Sequence, residues 1–498
     1  MKTFDHSEPT IVTFPDLLES EARELRQVLA YKDPKVEQEL KRLLPPYARK
    51  RYVDRHGADM YNEIVAELKG KLNVTMLREA GGVPSTLAGF TKRLRAMGYD
   101  GPSLQQKEDD SPLPMATSYK PPMPRYYQLE AEEALWNARH AAISLPTGSG
   151  KSLVVERLVR RHGERAIIMA PSRSIAGQLH SQLVKAFGRG TVGLFGDGKK
   201  ESKRDVVVGI AASLTKVDGE HARWLRQAKL FIADESHLTP ATMFEKVCLD
   251  VAAGASDRYF VSATQFRNDG TDILLEGITG PVVYKKSLEG LVNEGFLARP
   301  RFMTMEVPST SSYTSPDWHR MVDKHVYSNT VLAESAAALA NKCRSAFNHP
   351  VLILIDEVCQ FKHLLPHLRH EVGFAHGPLT AENKGDVDER FQKSNVDELV
   401  AKFNDGQLPI LVGTSCITTG TDLRPTGTII YLMAGESEIK FMQAVGRGTR
   451  LVPGKTSFNI VFFDVTIPGL DGFSNMFHRH FTTLKKYCEP FGTKSLKF

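Results

Sequence analysis

The chain has 498 residues, a length that predicts roughly two to four domains rather than a single hydrophobic core. Apolar residues make up 41% of it and charged residues 24%, as in ordinary globular proteins, and no stretch approaches the ~18 consecutive apolar residues of a membrane-spanning helix. The net charge of +6 permits a polyanionic partner without requiring one. Five scattered cysteines with no C-x-x-C spacing are typical of reduced thiols and indicate neither a disulfide framework nor a zinc site.

The amino-terminal sequence MKTFDHSEPT contains no apolar segment of the kind that directs secretion. We therefore expect a cytoplasmic protein that has no membrane partner. We also expect the chain to act as a monomer.

Residues 1–102 are predicted to form a mainly helical accessory domain. Apolar residues recur at helical spacing in PDLLESEARELRQVLAY, which starts at Pro15, and in GADMYNEIVAELKGKL, which starts at Gly57. Between them, KRLLPPYARKRYVDR (residues 41–55) is basic with interleaved tyrosines. That composition suits either phosphate contacts with base stacking or a solvated surface.

Residues 73–101 predict a helix-turn-helix-like motif that would bind duplex nucleic acid. A Gly-Gly turn follows the first helix, the sequence Pro84-Ser85-Thr86 opens the second, and basic residues crowd the end of the second helix. The alternative is a small helical domain with a solvated basic face, and the sequence does not separate the two. The candidate nucleic-acid contacts of this motif are Lys92, Arg93 and Arg95.

A linker is predicted at residues 103–123, where proline, polar and charged residues dominate. Beyond it, short apolar runs alternate with amphipathic segments, the pattern of buried parallel strands joined by helices. The pattern pauses near Arg299 and then resumes, which predicts the α/β fold class with two tandem parallel-sheet domains, residues 124–298 and 299–475, and a tail at 476–498. The predicted strands are AAISL, RAIIMA, VVVGI, LFIADE and RYFVSAT in the first domain and VLILID, PILVGT, GTIIYLM and NIVFFDV in the second.

The stretch ISLPTGSGKS, residues 143–152, has the pattern of a phosphate-binding loop between a strand and a helix. The glycines let backbone N–H groups turn towards phosphate oxygens, Lys151 supplies a cation for the β- and γ-phosphates of ATP, and Ser152 offers a hydroxyl to Mg²⁺. Leu145 stands where the general pattern has its first glycine. The predicted nucleotide contacts from this loop are Pro146, Thr147, Gly148, Ser149, Gly150, Lys151 and Ser152.

An acidic pair ends the predicted strand LFIADE. Asp234 can hold Mg²⁺, directly or through water, and Glu235 can polarise the water that attacks the γ-phosphate. The form PTGSGKS of the phosphate loop, followed by the sequence DESH in the same predicted sheet, resembles the superfamily 2 helicases, many of which carry DEAD or DEAH at this position.

The resemblance extends over roughly residues 124–464, and it implies two RecA-like domains that use ATP and Mg²⁺. PRYYQ resembles an element upstream of the phosphate loop in which Arg125 and Gln128 would contact the adenine. SAT (residues 262–264) resembles motif III, and Asp422 in the motif V segment would couple strand binding to the ATP site. The strand contacts that the resemblance implies, in motifs Ia, Ib and V, are Ser172, Arg173, Ser213, Thr414 and Thr419.

The segment QAVGRGTR, residues 443–450, resembles motif VI. Gln443, Arg447 and Arg450 are spaced at i, i+4 and i+7, which predicts that they share one helical face. Arginines from the second domain would stabilise the charge that develops during phosphoryl transfer. The alternative is a basic surface helix without a catalytic role.

The segment after motif III, residues 280–300, and TTGTD in motif V are similar to those of DNA motors, including phage branch-migration helicases of the UvsW type. We therefore expect an ATP-dependent DNA helicase or translocase that acts on single-stranded and branched duplex DNA in replication, recombination or repair. Its compact size and these UvsW-like motifs fit a viral or plasmid origin, with a phage as one possible source. The alternatives are an RNA helicase, a double-strand translocase that does not separate strands, and a sequence-specific DNA-binding protein that uses the motor as a switch.

Overall fold

The computed structural model describes residues 2–80, 83–102, 112–235, 238–239, 241–263, 272–315, 317–418, 421–434, 438–467 and 487–496. The chain divides into two compact units. The first contains Met1–Leu145 and Lys151–Lys285, and the second contains Pro146–Gly150 and Lys286–Phe498.

The amino-terminal region combines helices with a small antiparallel sheet. Both helices that we predicted from apolar spacing are present, as α1 and α4. The sheet has the strand order β1-β2-β6-β5, and β3 pairs with β4 separately. The elements are β1 (Asp5–Glu8), β2 (Ile11–Thr13), α1 (Glu19–Val28), β3 (Ala30–Lys32), α2 (Pro34–Leu43), α3 (Pro46–His56), α4 (Ala58–Leu72), β4 (Asn73–Thr75), β5 (Arg78–Ala80), β6 (Val83–Leu87) and α5 (Thr91–Ala96).

The predicted helix-turn-helix at residues 73–101 is wrong. The segment that should form its helices contains strands β4, β5 and β6, and Pro84-Ser85-Thr86 lie inside β6, paired with β5 and β2. The glycines of the expected turn lie outside the described residues. A glycine pair between short runs that contain β-branched residues is as much a hairpin signal as a helix-turn-helix signal, and here burial of β6 favours the sheet.

The amino-terminal region packs directly against helix α12 (Asp272–Thr279) of the first parallel-sheet domain. A Cβ atom on Gly89 would lie 2.3 Å from the carbonyl oxygen of Gly277, so only glycine permits this close approach. Beside it, Arg93 forms an ion pair with Glu276 at 2.5 Å. The Arg93 guanidinium, predicted to contact nucleic acid, is therefore engaged within the protein. Lys92 and Arg95 remain exposed.

The second half of the predicted linker is bound to the first parallel-sheet domain. Residues 103–111 lie outside the described part of the chain, but residues 112–124, which we call the strap, run over the first parallel-sheet domain. Leu113 donates its backbone N–H to the Arg160 carbonyl at 2.9 Å, and Ala116 donates to the Ala186 carbonyl at 2.7 Å. The strap is thus fixed to the carboxyl ends of two helices, α7 (Lys151–His162) and α8 (Arg173–Phe187).

The first parallel sheet has the strand order β10-β9-β11-β8-β12-β13-β7-β14. All its pairings are parallel except the β9–β10 hairpin, as the apolar runs predict. Its elements are α6 (Tyr126–Ala138), β7 (His140–Ser144), α7 (Lys151–His162), β8 (Ala166–Ala170), α8 (Arg173–Phe187), β9 (Val192–Gly196), β10 (Lys199–Lys200), β11 (Val206–Ile210), α9 (Ala211–Leu214), α10 (Gly219–Leu225), β12 (Leu230–Asp234), α11 (Ala241–Lys246), β13 (Asp257–Ser262), α12 (Asp272–Thr279) and β14 (Val282–Lys285).

The second parallel sheet has the order β17-β18-β16-β19-β20-β15-β21, and every pairing in it is parallel. The two-domain α/β prediction is therefore confirmed. The elements are α13 (Leu288–Asn293), β15 (Arg299–Pro308), α14 (Trp318–Val322), α15 (Thr330–Phe347), β16 (Val351–Leu354), α16 (Cys359–Leu364), β17 (Val372–Ala375), α17 (Val396–Asn404), β18 (Ile410–Gly413), β19 (Thr428–Tyr431), α18 (Glu438–Gly448), β20 (Ser457–Thr466) and β21 (Thr493–Leu496).

A buried ion pair fixes the amino-terminal ends of the central strands in the first sheet. Arg139 donates from Nε to Asp257 Oδ1 at 2.8 Å and from Nη2 to Oδ2 at 2.9 Å, and His162 Nε2 lies 3.2 Å from Oδ2. Burial alone would raise the pKa of Asp257, but the hydrogen bonds from Arg139 and His162 outweigh it and hold that pKa well below its ordinary value.

Replacing Asp257 with asparagine is expected to destabilise the first unit by about 3–5 kcal/mol, because Arg139 keeps its charge in a buried place without a carboxylate. Since folding lowers the pKa of Asp257, its stabilisation is complete above the ordinary carboxyl range and is lost as the pH falls below about 4. Denaturant unfolding at pH 7 and pH 3 measures this. The difference in the free energy of unfolding between wild type and Asp257→Asn should be smaller at pH 3 than at pH 7. An equal difference at both pH values would contradict the lowered pKa of Asp257 in the folded protein.

Candidate nucleotide site and helicase motifs

The phosphate loop connects β7 to α7 in the order the sequence predicts. Gly148 and Gly150 have φ angles of 87° and 84°, in the left-handed region that favours glycine. Lys151 is the first residue of α7, so the loop ends at the amino-terminal end of a helix. The backbone N–H groups at the start of a helix and the positive end of the helix dipole make this position suited to bind phosphate.

Lys151 and Glu235, predicted from separate motifs, are in contact. Lys151 Nζ lies 3.0 Å from Glu235 Oε1 and donates to the Leu145 carbonyl at 3.3 Å. Both side chains are largely buried. The structure therefore places the phosphate-loop cation beside the carboxylate that would act on the attacking water.

Glu235 is held in an unusual backbone conformation at the end of β12. Its φ of 46° is left-handed, which is rare for a residue with a Cβ and common at functional sites. Its Oε2 atom accepts from Ser262 Oγ at 3.3 Å and from the Ala263 N–H at 3.4 Å. Ser262 belongs to the motif III segment, of which Thr264 lies outside the described residues. Motifs II and III thus meet at one carboxylate, a contact that the motif order alone does not reveal.

Asp234 is suited to a divalent cation. Burial, and then the neighbouring charge of Glu235, raise the pKa of Asp234 to about 7. A bound cation would reverse that effect by stabilising the ionised form. Carboxylate and hydroxyl oxygens are the donors Mg²⁺ prefers, so Asp234 and Ser152 fit the predicted ion. Among the described residues there is no cluster of three or more potential metal ligands.

The predicted adenine contacts lie at the start of α6. The Gln128 side chain is buried, and its Oε1 accepts from the Arg125 backbone N–H at 2.8 Å, which caps the helix. Arg125 Nη1 donates to the Tyr127 hydroxyl at 2.9 Å. The structure gives both residues a local role at the helix start, and their contact with adenine remains a prediction.

The residues predicted to contact a nucleic-acid strand differ in how far they are exposed. Ser172 caps α8, since its Oγ accepts from the Ile175 N–H at 3.4 Å. Arg173 is exposed and lies 3.1 Å from Asp197 in the β9–β10 turn. Ser213 is half-buried on α9, whereas Thr414 is buried at the end of β18. Thr419 lies outside the described residues.

Motif VI is divided between a helix and the chain that follows it. Gln443 and Arg447 are buried on α18, and Arg447 Nη1 donates to the Thr421 carbonyl. The prediction that Arg450 shares their helical face is wrong, because α18 ends at Gly448. Two glycines in its last turn lower the helix propensity there.

Arg450 and Asp422 are joined by an ion pair that sequence reasoning missed. Arg450 Nε lies 2.8 Å from Asp422 Oδ1, and Arg424 Nε lies 2.8 Å from Oδ2. Asn404 fixes this segment by donating to the Asp422 carbonyl at 2.6 Å and accepting from the Arg424 N–H at 3.0 Å. Asp422, predicted to contact the nucleotide, therefore positions an arginine of motif VI.

Two family models match the chain. The DEAD/DEAH box helicase family covers residues 125–271, and the helicase conserved C-terminal domain covers residues 334–452. The chain belongs to the superfamily 2 helicases, a family that uses ATP with Mg²⁺ and acts on nucleic acid. The resemblance that we inferred from the motifs is confirmed.

Among the relatives of this chain, some are named as enzymes that act on DNA and others as enzymes that act on RNA. The ATP-dependent DNA helicase uvsW of Enterobacteria phage T4 is 23% identical over 71% of this chain and 71% of its own length. The DNA 3'-5' translocase XPB2 of Sulfurisphaera tokodaii is 23% identical over 65% of this chain and 77% of its own length. A protein named as the ATP-dependent RNA helicase DDX52 in Rattus norvegicus is 21% identical, over 68% of this chain and 55% of its own length. The last match thus spans about half of that relative.

Solved structures share the fold. The Type ISP restriction-modification enzyme LlaBIII, solved with DNA, has a TM-score of 0.53 at 14% identity and covers 76% of this chain and 32% of its own. Dbp5 of S. cerevisiae, solved with RNA, has a TM-score of 0.51 at 17% identity and covers 75% of this chain and 90% of its own. None of the helices in the described part of the chain has the length and apolar character to span a membrane.

Proposed function

We propose that this chain is an ATP-driven motor that moves on DNA and unwinds or branch-migrates forked and junction substrates. The observation that carries the proposal is the contact of Lys151, Glu235 and Ser262, which joins three helicase motifs at one buried carboxylate. The family membership supports an ATP-dependent helicase activity. The choice of DNA and of branched substrates is our inference.

The geometry suggests how nucleotide binding would prepare Glu235 to act as a base. Lys151 is paired with Glu235 in this structure. Phosphate oxygens at the loop would compete for the Lys151 ammonium, and Glu235 would then be able to accept a proton from the attacking water. Ser262 and the Ala263 N–H keep the carboxylate in place during that exchange. A bound Mg²⁺ would supply positive charge to the phosphate oxygens.

Two relatives support the choice of DNA by their names. The matches to uvsW, named as a DNA helicase, and to XPB2, named as a DNA translocase, span 71% and 77% of those proteins. The likeness to uvsW, a protein of Enterobacteria phage T4, also supports a phage origin. Matched DNA and RNA oligonucleotides in an ATPase assay test this choice, and stronger stimulation by RNA would favour the second candidate, an RNA helicase.

The amino-terminal region offers a nucleic-acid surface at α3. This helix presents Arg49, Lys50 and Arg55 to solvent, and no ion pair involves them among the described residues. Arg49 also lies over the Tyr61 ring, at 5.6 Å from its centroid. We propose that this basic face, rather than the end of α5, contacts the backbone of duplex DNA.

Reversing two charges on α3, Arg49→Glu with Lys50→Glu, is expected to weaken binding to forked DNA by at least about tenfold and to lower the salt slope by about two, one unit for each lost phosphate contact. Fluorescence anisotropy at several salt concentrations measures both quantities. Arg93→Ala is the matched control, because Arg93 already pairs with Glu276. If the control weakens binding and the α3 variant does not, the surface lies at α5 instead.

A further inference from the structure

The phosphate-loop helix α7 carries a buried carboxylate that the proposed mechanism does not use. Glu156 is 1% exposed and lies one helical turn after Ser152, on the same face of α7. The Tyr119 hydroxyl lies 2.9 Å and 3.0 Å from its two oxygens. Gln182 Nε2 donates to Glu156 Oε2 at 2.8 Å and to the Ser152 carbonyl at 3.2 Å.

These contacts join three separate segments of the chain. Tyr119 is on the strap, Glu156 is on α7 and Gln182 is on α8. The amide of Gln182 bridges the first turn of α7 to Glu156, and the Tyr119 hydroxyl holds Glu156 from the other side. The Gln182 amide thus contacts the Ser152 backbone, two residues after the last glycine of the phosphate loop.

A buried carboxylate is costly unless its oxygens receive hydrogen bonds. Burial, and then the hydrogen bond to Glu156, raise the pKa of Tyr119 to about 12, so its hydroxyl keeps its proton at neutral pH and remains a donor. Gln182 supplies the second donor. Both oxygens of Glu156 are satisfied, and the arrangement holds the Gln182 amide in one orientation.

We propose that Gln182 is a positioning residue for Ser152, held in place by Glu156 and Tyr119. By fixing the Ser152 carbonyl, it sets the direction in which the Ser152 hydroxyl meets the Mg²⁺ of bound Mg·ATP. The inference rests on the proposed function only as far as nucleotide binding. It requires neither movement on DNA nor hydrolysis.

The test is the Mg²⁺ dependence of nucleotide binding, measured with a fluorescent N-methylanthraniloyl ATP. Gln182→Ala is expected to raise the Mg²⁺ concentration for half-maximal binding by about fivefold, the effect of one lost hydrogen bond. Binding in excess EDTA should stay unchanged. Ser181→Ala is the matched control, because Ser181 is the exposed neighbour of Gln182 on α8.

Tyr119→Phe is a second variant, which removes one oxygen and keeps the ring. It is expected to raise the Mg²⁺ concentration for half-maximal binding by a smaller factor than Gln182→Ala. If Gln182→Ala does not fold, the result for Tyr119→Phe tests the inference instead. A Mg²⁺ dependence equal to that of Ser181→Ala in every folded variant overturns the inference. A wild type that binds Mg·nucleotide but is not stimulated by nucleic acid contradicts the proposed function and leaves this test intact.

Discussion

Alanine at Lys151 is expected to lower kcat for ATP hydrolysis by at least about a thousandfold, because it removes the cation nearest the transferring phosphate. Phosphate release at saturating ATP, with and without DNA, measures the loss.

Lys229→Ala is the control for this substitution. Lys229 is exposed and precedes β12, the strand whose other end carries Asp234, so it lies far from the phosphate loop. The control should keep the wild-type rate. If a folded Lys151→Ala protein retains a tenth of the wild-type turnover, Lys151 has no catalytic role in ATP hydrolysis.

Alanine at Arg450 is expected to lower kcat by about a thousandfold with little change in the stability of the second unit, as for arginines that stabilise a phosphoryl-transfer transition state. Arg450 follows the end of α18 and is half-exposed, so truncating it opens no cavity in the core. Steady-state kinetics should show the loss in kcat rather than in the KM for ATP.

Substitutions at two further arginines test whether the effect of Arg450 on turnover is specific to that residue. Arg424→Ala removes the other partner of Asp422 and should keep most of the turnover. Arg447→Ala should instead lower the stability of the second unit, because Arg447 is buried and bonded to the Thr421 carbonyl. If Arg450→Ala and Arg424→Ala reduce turnover equally, Arg450 has no role beyond its ion pair.

The features that the sequence predicts well are those encoded by neighbouring residues. Buried parallel strands appear as short apolar runs, and the phosphate loop and DESH carry their chemistry within a few positions. The succession of two parallel-sheet domains along the chain and the position of Lys151 at the start of α7 follow from these local patterns.

The features that the sequence does not predict depend on contacts between distant segments or on a competition between local preferences. Residues 83–87 form a strand because they pair with β2, far away in the sequence. Arg450 leaves the helical face because the glycines before it end α18. The strap is fixed by backbone hydrogen bonds, which leave no signature in side-chain composition.

Nucleic-acid-stimulated ATP hydrolysis tests the central claim most directly. Wild type and Lys151→Ala are compared on single strands, duplexes, forks and four-way junctions of DNA, with RNA of matched sequence. A DNA motor of the proposed kind hydrolyses ATP faster with DNA than without it, fastest with forks or junctions, and loses this stimulation in Lys151→Ala. Equal turnover with and without any nucleic acid, or the same stimulation in Lys151→Ala, would contradict the claim.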